Sequence, residues 1–150
     1  MDVRLAIPGD AAIVAALLHD FNTEFATPTP PQAVLAERLR RLLAGEQTLA
    51  LLAGDPAVGV ALLTLRPNVW YDGPVACLDE LYVRAEERGR RIGHALLEGA
   101  CAHVRARGAT VLEINVDGDD RDARRFYEAH GFANHEPGET QPLLLYVRDL

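Results

Sequence analysis

The chain predicts a single mixed αβ domain over residues 1–150, and three observations lead there. Short apolar or alternating runs of strand length interleave with longer stretches whose apolar residues recur at helical spacing. One such run, Val75–Val83, passes through a short Gly/Arg loop into a strong helical pattern, making a strand–loop–helix unit. Finally, 150 residues suffice for one substantial core, and no repeat, low-complexity tract or linker divides them.

Taken in order, Val3–Ile7 alternates as a first strand. Asp10 stands where a helix N-cap belongs, ahead of Ile13/Val14, Leu17/Leu18, Phe21 and Phe25 at helical spacing. Thr27-Pro28-Thr29-Pro30-Pro31 breaks the chain, with Thr29 and Gln32 spaced as a capping box and Pro30 suited to the first helical position. Val34/Leu35, Leu39 and Leu42/Leu43 carry the next helix, which Gly45 ends. Thr48–Ala53 and Val58–Leu65 flank Gly54-Asp55-Pro56 and predict a hairpin. A loop of Arg66–Pro74 follows, with Trp70 and Tyr71 either folded over the sheet edge or lining an acceptor. Val75–Val83 reads as the buried central strand, and Ile92, Ala95/Leu96, Gly99 and His103/Val104 as one face of the long helix after it. Thr110–Val116 is rich in β-branched residues and predicts a strand. Asp120 caps a short helix of Arg121–His130 that Gly131 stops, and Leu143–Val147 predicts a last strand.

Composition excludes several chemistries. The sequence contains no serine, and all 15 of its Lys/Arg positions are arginine. A Ser-His-Asp hydrolase, a Walker-type phosphate loop and a Schiff-base lysine are therefore ruled out. A net charge of −7 argues against a general nucleic-acid binder and suits a cationic acceptor. No apolar run reaches membrane-spanning length, and Met1 leads directly into a strand-like segment rather than a signal peptide. Cys77 and Cys101 make neither a disulfide framework nor a metal pair, so a cytoplasmic protein without a metal is expected. Cys77 reads as a small buried hydrophobe, and the five histidines show no ligand spacing with the cysteines.

The richest stretch is Arg88-Gly89-Arg90-Arg91-Ile92-Gly93-His94. The first N–H groups of a helix lack partners within it, and the helix dipole favours negative charge there. Glycine lets phosphates approach the main chain, and arginine adds forked, permanently charged donors. The pattern reads as a diphosphate cradle. A dinucleotide-binding βαβ unit is the nearest rival, but Arg84–Arg88 separate strand from glycine and no Gly-x-Gly occurs.

Two motifs together resemble the GNAT superfamily of acetyl-CoA-dependent acyltransferases. Its Q/R-x-x-G-x-G/A loop is matched by Arg88–Gly93, and its N-x-x-A-x-x-(F/L)-Y-x-x-x-G-F segment by Asp120–Phe132. Arg91 stands where that family usually has glycine, and Asp120 where it usually has asparagine. An arginine can still present its N–H at this point if the backbone does not demand a positive φ.

The resemblance implies a mostly antiparallel central sheet flanked by about four helices, with a splayed central strand pair forming the acyl-CoA site. It implies that amides of Arg88, Gly89, Arg90, Arg91, Ile92, Gly93 and His94 hold the pyrophosphate of acetyl-CoA, with Arg124 the best further phosphate contact. The backbone of Leu81 and Val83 would pair with the pantetheine arm, and a strand N–H would stabilise the oxyanion. Tyr127 matches the family's general acid for the departing thiolate; a phenol near ~10 and a thiol near ~8.5 are close enough for transfer. Position alone would have Tyr127 pack on the sheet. Asp79 and Glu80 are the candidate bases; adjacent strand residues face opposite sides, so the two cannot share the job, and Glu80 is preferred. Alternatively a carboxylate binds the acceptor's charge and water takes the proton.

The implied reaction is acetyl transfer to the primary amine of a small molecule or peptide, by direct attack in a ternary complex. A non-catalytic acyl-CoA-binding module is the rival reading from another class. The first two helices, the Trp70 loop and Asn134–Leu143 would set acceptor choice, and pairing through the last strands would make a homodimer.

Overall fold

A computed structural model describes residues 1–150. The chain falls into two compact units, Met1–Ile114 and Asn115–Leu150. The first holds a five-stranded sheet whose strands lie side by side in chain order, antiparallel except for the last pair, which is parallel.

β1 (Val3–Leu5) is shorter than expected. Pro8 follows in a 3-10 turn that redirects the chain into α1 (Ala11–Glu24). Asp10 stands at the helix entry, yet its carboxylate makes no cap bond to α1. It instead accepts from the Ile7 N–H at 2.9 Å and from Arg4 at 2.7 and 2.8 Å, stapling the turn back onto β1. α2 (Gln32–Leu43) also opens without a capping box. Pro31 is its cap residue, its carbonyl accepting from Val34 and Leu35, while the Thr29 hydroxyl donates to the Pro30 carbonyl. The helix starts two residues later than the motif suggests, which moves Thr29 out of reach of the first-turn amides.

β2 (Thr48–Ala53) and β3 (Gly59–Arg66) form the expected hairpin, Ala53 opposite Gly59. β4 is Val75–Val83, with the bounds its apolar run indicates. α3 (Ile92–Ala106) then returns along the sheet. β5 shrinks to Leu112–Glu113, and beyond it the chain leaves β4.

The two sheet faces bury different partners. Ala50, Leu52, Val60 and Tyr82 join Val14, Leu17 and Leu39 of α1 and α2 in one core. On the other face α3 lies so close that a Cβ on Gly99 would meet Leu51 and Val3 at 3.1 and 3.2 Å. Leu51, Leu63, Leu78, Ile92, Leu96 and Leu97 are fully buried, each contributing about 1.5–3 kcal/mol of transfer free energy.

The second unit contains α4 (Arg121–Ala129), whose cap is as expected: the Asp120 carboxylate accepts from the Ala123 N–H at 3.0 Å. The expected strand at Leu143–Val147 does not form, and these residues are 61–86% exposed. Strand propensity expresses fit to a paired, half-buried surface, and these exposed residues make no strand pairing.

Candidate active site

Strand β4 ends where the Gly/Arg loop begins, and two arginines anchor that end to α1. Arg84 pairs with Asp20 at 3.1 Å. Arg88 pairs with Glu24 at 2.5 Å, donates from Nε to the Val83 carbonyl at 3.0 Å, and lies over the Phe25 and Tyr82 rings. Its own N–H donates to the Ala85 carbonyl. Arg88 is therefore committed to fixing the loop. Arg90 pairs with Glu87, while Arg91 is exposed.

The backbone then turns left-handed at Gly89 (φ +79) and again at Arg91 (φ 60, ψ 19), the residue that opens α3. The proviso on Arg91 is thus not met: this position demands a positive φ, which costs a non-glycine residue roughly 1–2 kcal/mol. The strained turn aims the chain directly into α3. No side chain caps this end of the helix, so the positive end of the dipole faces outward beside Arg91.

The edge of β4 lies next to this helix end. On the side away from β3, β4 pairs with β5 at Ala76 and Cys77 and no further. Arg84 donates its N–H to Val58 on the β3 side, so by strand alternation Val83 and Leu81 present theirs to the open edge. Arg88 takes the Val83 carbonyl, leaving the Val83 N–H and both Leu81 groups there. The strand pair is splayed, and its free groups can be paired by an extended ligand.

A β-bulge changes the reading of the two carboxylates. Leu62 opposes Glu80 while Leu63 opposes Leu78, so Asp79 is an extra residue on β4. Leu62 and Tyr82 belong to the α1–α2 face, which puts Glu80 there too. Asp79 accepts from the Thr64 hydroxyl at 2.5 Å, and Thr64 shares the face of Leu62 by period-two alternation. Asp79 and Glu80 consequently lie on one side of the sheet, not on opposite sides as simple alternation predicts. Glu80 is half-buried, and burial together with the neighbouring Asp79 charge raises its pKa above the usual carboxylate range. Burial and Asp79 also push the Cys77 thiol up to about 11, which removes it as a nucleophile.

In the second unit, Tyr127 is buried on α4 and its ring packs edge-on against Phe126 and Phe132, at 5.2 and 5.5 Å between centroids. The Phe132 N–H donates to the Tyr127 carbonyl and the Gly131 N–H to that of Glu128, with Gly131 at φ +85. This is a Schellman cap with its hydrophobic contact, and it explains why glycine and an aromatic follow the tyrosine at this spacing. Packing thus fixes the Tyr127 ring. Arg124 donates to the Gly118 carbonyl at 2.8 Å, so its guanidinium braces the turn before α4.

The Trp70 loop belongs elsewhere. Trp70 is 84% exposed, so it does not fold over the sheet edge. Val69–Gly73 line a shallow cleft with Gly108 and Thr110, after the C-terminus of α3. The Gly/Arg loop leaves the opposite end of β4, roughly 26 Å away at the strand rise per residue.

The model of the acetyltransferase (GNAT) family matches residues 14–132. The chain belongs to the GNAT family. Its mixed five-stranded sheet with a splayed β4–β5 pair is the GNAT fold. A crystal structure from Arthrobacter sp. FB24, whose acetyltransferase assignment is provisional, superposes at TM-score 0.95 and 61% identity, covering 100% of this chain and 96% of that one. Mycothiol acetyltransferase of Beutenbergia cavernae is 37% identical over 71 residues, covering 45% of this chain and 24% of that protein. Aminoalkylphosphonate N-acetyltransferase of Salmonella typhimurium is 33% identical over 84 residues, covering 56% of this chain and 54% of that protein. The chain thus spans between a quarter and about half the length of these curated relatives.

Within the GNAT frame, sequence patterns missed Thr64 and Glu24. Neither sits in a motif, and each meets its partner, Asp79 or Arg88, only through strand register or helix packing.

Proposed function

We propose that this GNAT protein transfers an acetyl group from acetyl-CoA to a primary amine of a small molecule or peptide. The observation that carries the reading is the splayed β4 edge beside the uncapped, arginine-flanked start of α3. The donor set fits the co-substrate: an edge of free amides and carbonyls suits an amide-bearing arm, and a helix N-terminus suits a diphosphate. Acetyl-CoA brings the activated acyl group as a thioester.

The amides of Gly89, Arg90, Arg91, Ile92, Gly93 and His94 hold the diphosphate, with the exposed Arg91 guanidinium beside them. Arg88 supports this cradle through α1, and Arg124 steadies the turn before α4. Leu81 and Val83 pair with the arm, and a β4 amide near the bulge stabilises negative charge on the acyl oxygen. Glu80 removes the proton from the acceptor ammonium, directly or through one water. Its raised pKa suits a base acting near neutral pH. Tyr127 protonates the departing thiolate. The family match runs from residue 14 to 132, across both units, which supports their acting as one domain. No helix is long and apolar enough to cross a membrane. A cytoplasmic setting would keep Cys77 and Cys101 reduced.

Calorimetry with CoA, followed by thiol release from acetyl-CoA over a panel of amines, tests the reading. Binding with turnover on at least one amine is expected. Tyr127→Phe is expected to cut kcat by about 10²-fold or more while leaving CoA affinity within a few-fold. Tight binding without turnover on any amine would favour an acyl-CoA-binding module, and no binding would overturn the proposal.

A further inference from the structure

The bulge in β4 brings a second carboxylate beside Glu80 and holds it there. Asp79 is the inserted residue, and the Thr64 hydroxyl of β3 donates to its Oδ2 at 2.5 Å. Because Thr64 and Leu62 alternate onto the same face, this bond keeps Asp79 on Glu80's side of the sheet. A strand without the bulge would have sent the two charges to opposite faces.

The acidic groups of α1 and β5 are each matched with an arginine, and Glu37, Arg38, Arg40 and Arg41 of α2 form no ion pair with Glu80 or Asp79. On α1, Asp20 pairs with Arg84 and Glu24 with Arg88. On β5, Glu113 pairs with Arg66 of β3 at 3.3 Å. α3 packs on the opposite face, with Ile92, Leu96 and Leu97 buried toward the sheet. Cys77 shares the face but stays a neutral thiol. Asp79 accepts from the Thr64 hydroxyl and from the neighbouring Cys77 thiol and forms no ion pair, so it places a carboxylate charge next to Glu80.

We propose that Asp79, clamped by Thr64, is a positioning residue whose charge sets the proton affinity of Glu80. Asp79 neither touches the acceptor nor takes its proton. A like charge on the same face makes loss of the Glu80 proton harder, which raises its strength as a base; the Thr64 bond holds the exposed Asp79 carboxylate in one orientation. This inference rests on Glu80 being the base, as read above.

The test is the pH profile of kcat/KM for the full chain with acetyl-CoA and one accepted amine, in wild type, Asp79→Asn, Thr64→Val, Thr64→Ser and Glu80→Gln. Glu80→Gln is expected to lose the acidic limb and at least tenfold in rate. Asp79→Asn is expected to move that limb to lower pH with KM within a few-fold of wild type. Thr64→Val should move it the same way by less, and Thr64→Ser should restore it. A carbon-13 NMR titration of the Glu80 carboxyl in wild type and Asp79→Asn reads the same shift without turnover. A limb that depends on Glu80 but is unmoved in Asp79→Asn overturns this inference alone. A limb that survives Glu80→Gln overturns the base assignment and the inference with it.

Discussion

At the scale of single residues, several side chains serve a neighbour rather than the role their position suggests. Asp10 occupies an N-cap position but binds Arg4 and the Ile7 N–H. The Arg4 hydrogen bonds, then the Ile7 amide, hold its carboxyl at about 2, well below the usual range. A carboxylate with a lowered folded-state pKa contributes stability above its unfolded value and loses it as pH falls through the folded one. Asp10→Asn is therefore expected to lower stability by about 1 kcal/mol at neutral pH, discounted because Arg4 is half exposed. The difference should shrink between about pH 4 and pH 2 and vanish below. Urea unfolding of both proteins across that range checks it, and a difference independent of pH would remove the ion-pair explanation.

At the scale of elements, the Trp70 loop is held by backbone rather than by its aromatics. A Cβ built on Gly73 would lie 2.0 Å from the Gly108 carbonyl oxygen, just after α3. Main-chain atoms at this distance cannot rotate aside as a flexible side chain would. Gly73→Ala should therefore displace the loop from the α3 end and cost roughly 1–3 kcal/mol. Denaturant unfolding would show this, whereas an unchanged midpoint would mean that the loop yields freely. The same variant should leave CoA affinity near wild type, because the Gly/Arg loop leaves the other end of β4.

At the scale of the whole molecule, the segment Leu143–Val147 with Leu150 stays 61–114% exposed. Scaled by residue mass, these six side chains and their backbone expose roughly 800 Å². A stable interface buries about 800 Å² per partner, so this segment exposes about as much surface as a homodimer interface would need to cover. Antiparallel pairing across a two-fold axis satisfies both backbones at once. Light scattering should give twice the monomer mass at micromolar concentration, and Leu144→Arg with Tyr146→Asp should return the monomer. A monomeric wild type would end the dimer reading.

What could be read along the chain was local. The apolar run of β4, the hairpin of β2 and β3, the opening of α3 and the Asp120 cap each depend on residues within a few positions, where periodicity and capping chemistry act. The two motifs carried the family for the same reason, being short segments whose backbone conformations set their residues. Contacts between distant residues were not legible. Arg88 meets Glu24 across 64 positions and Thr64 meets Asp79 across 15, and neither pairing leaves a trace in sequence spacing. The bulge that turns Asp79 onto the face of Glu80, the short β5 and the unpaired tail follow from which strands lie side by side and in what register. Register is settled when both faces of the sheet are packed, so folding alone could assign the two carboxylates to one side.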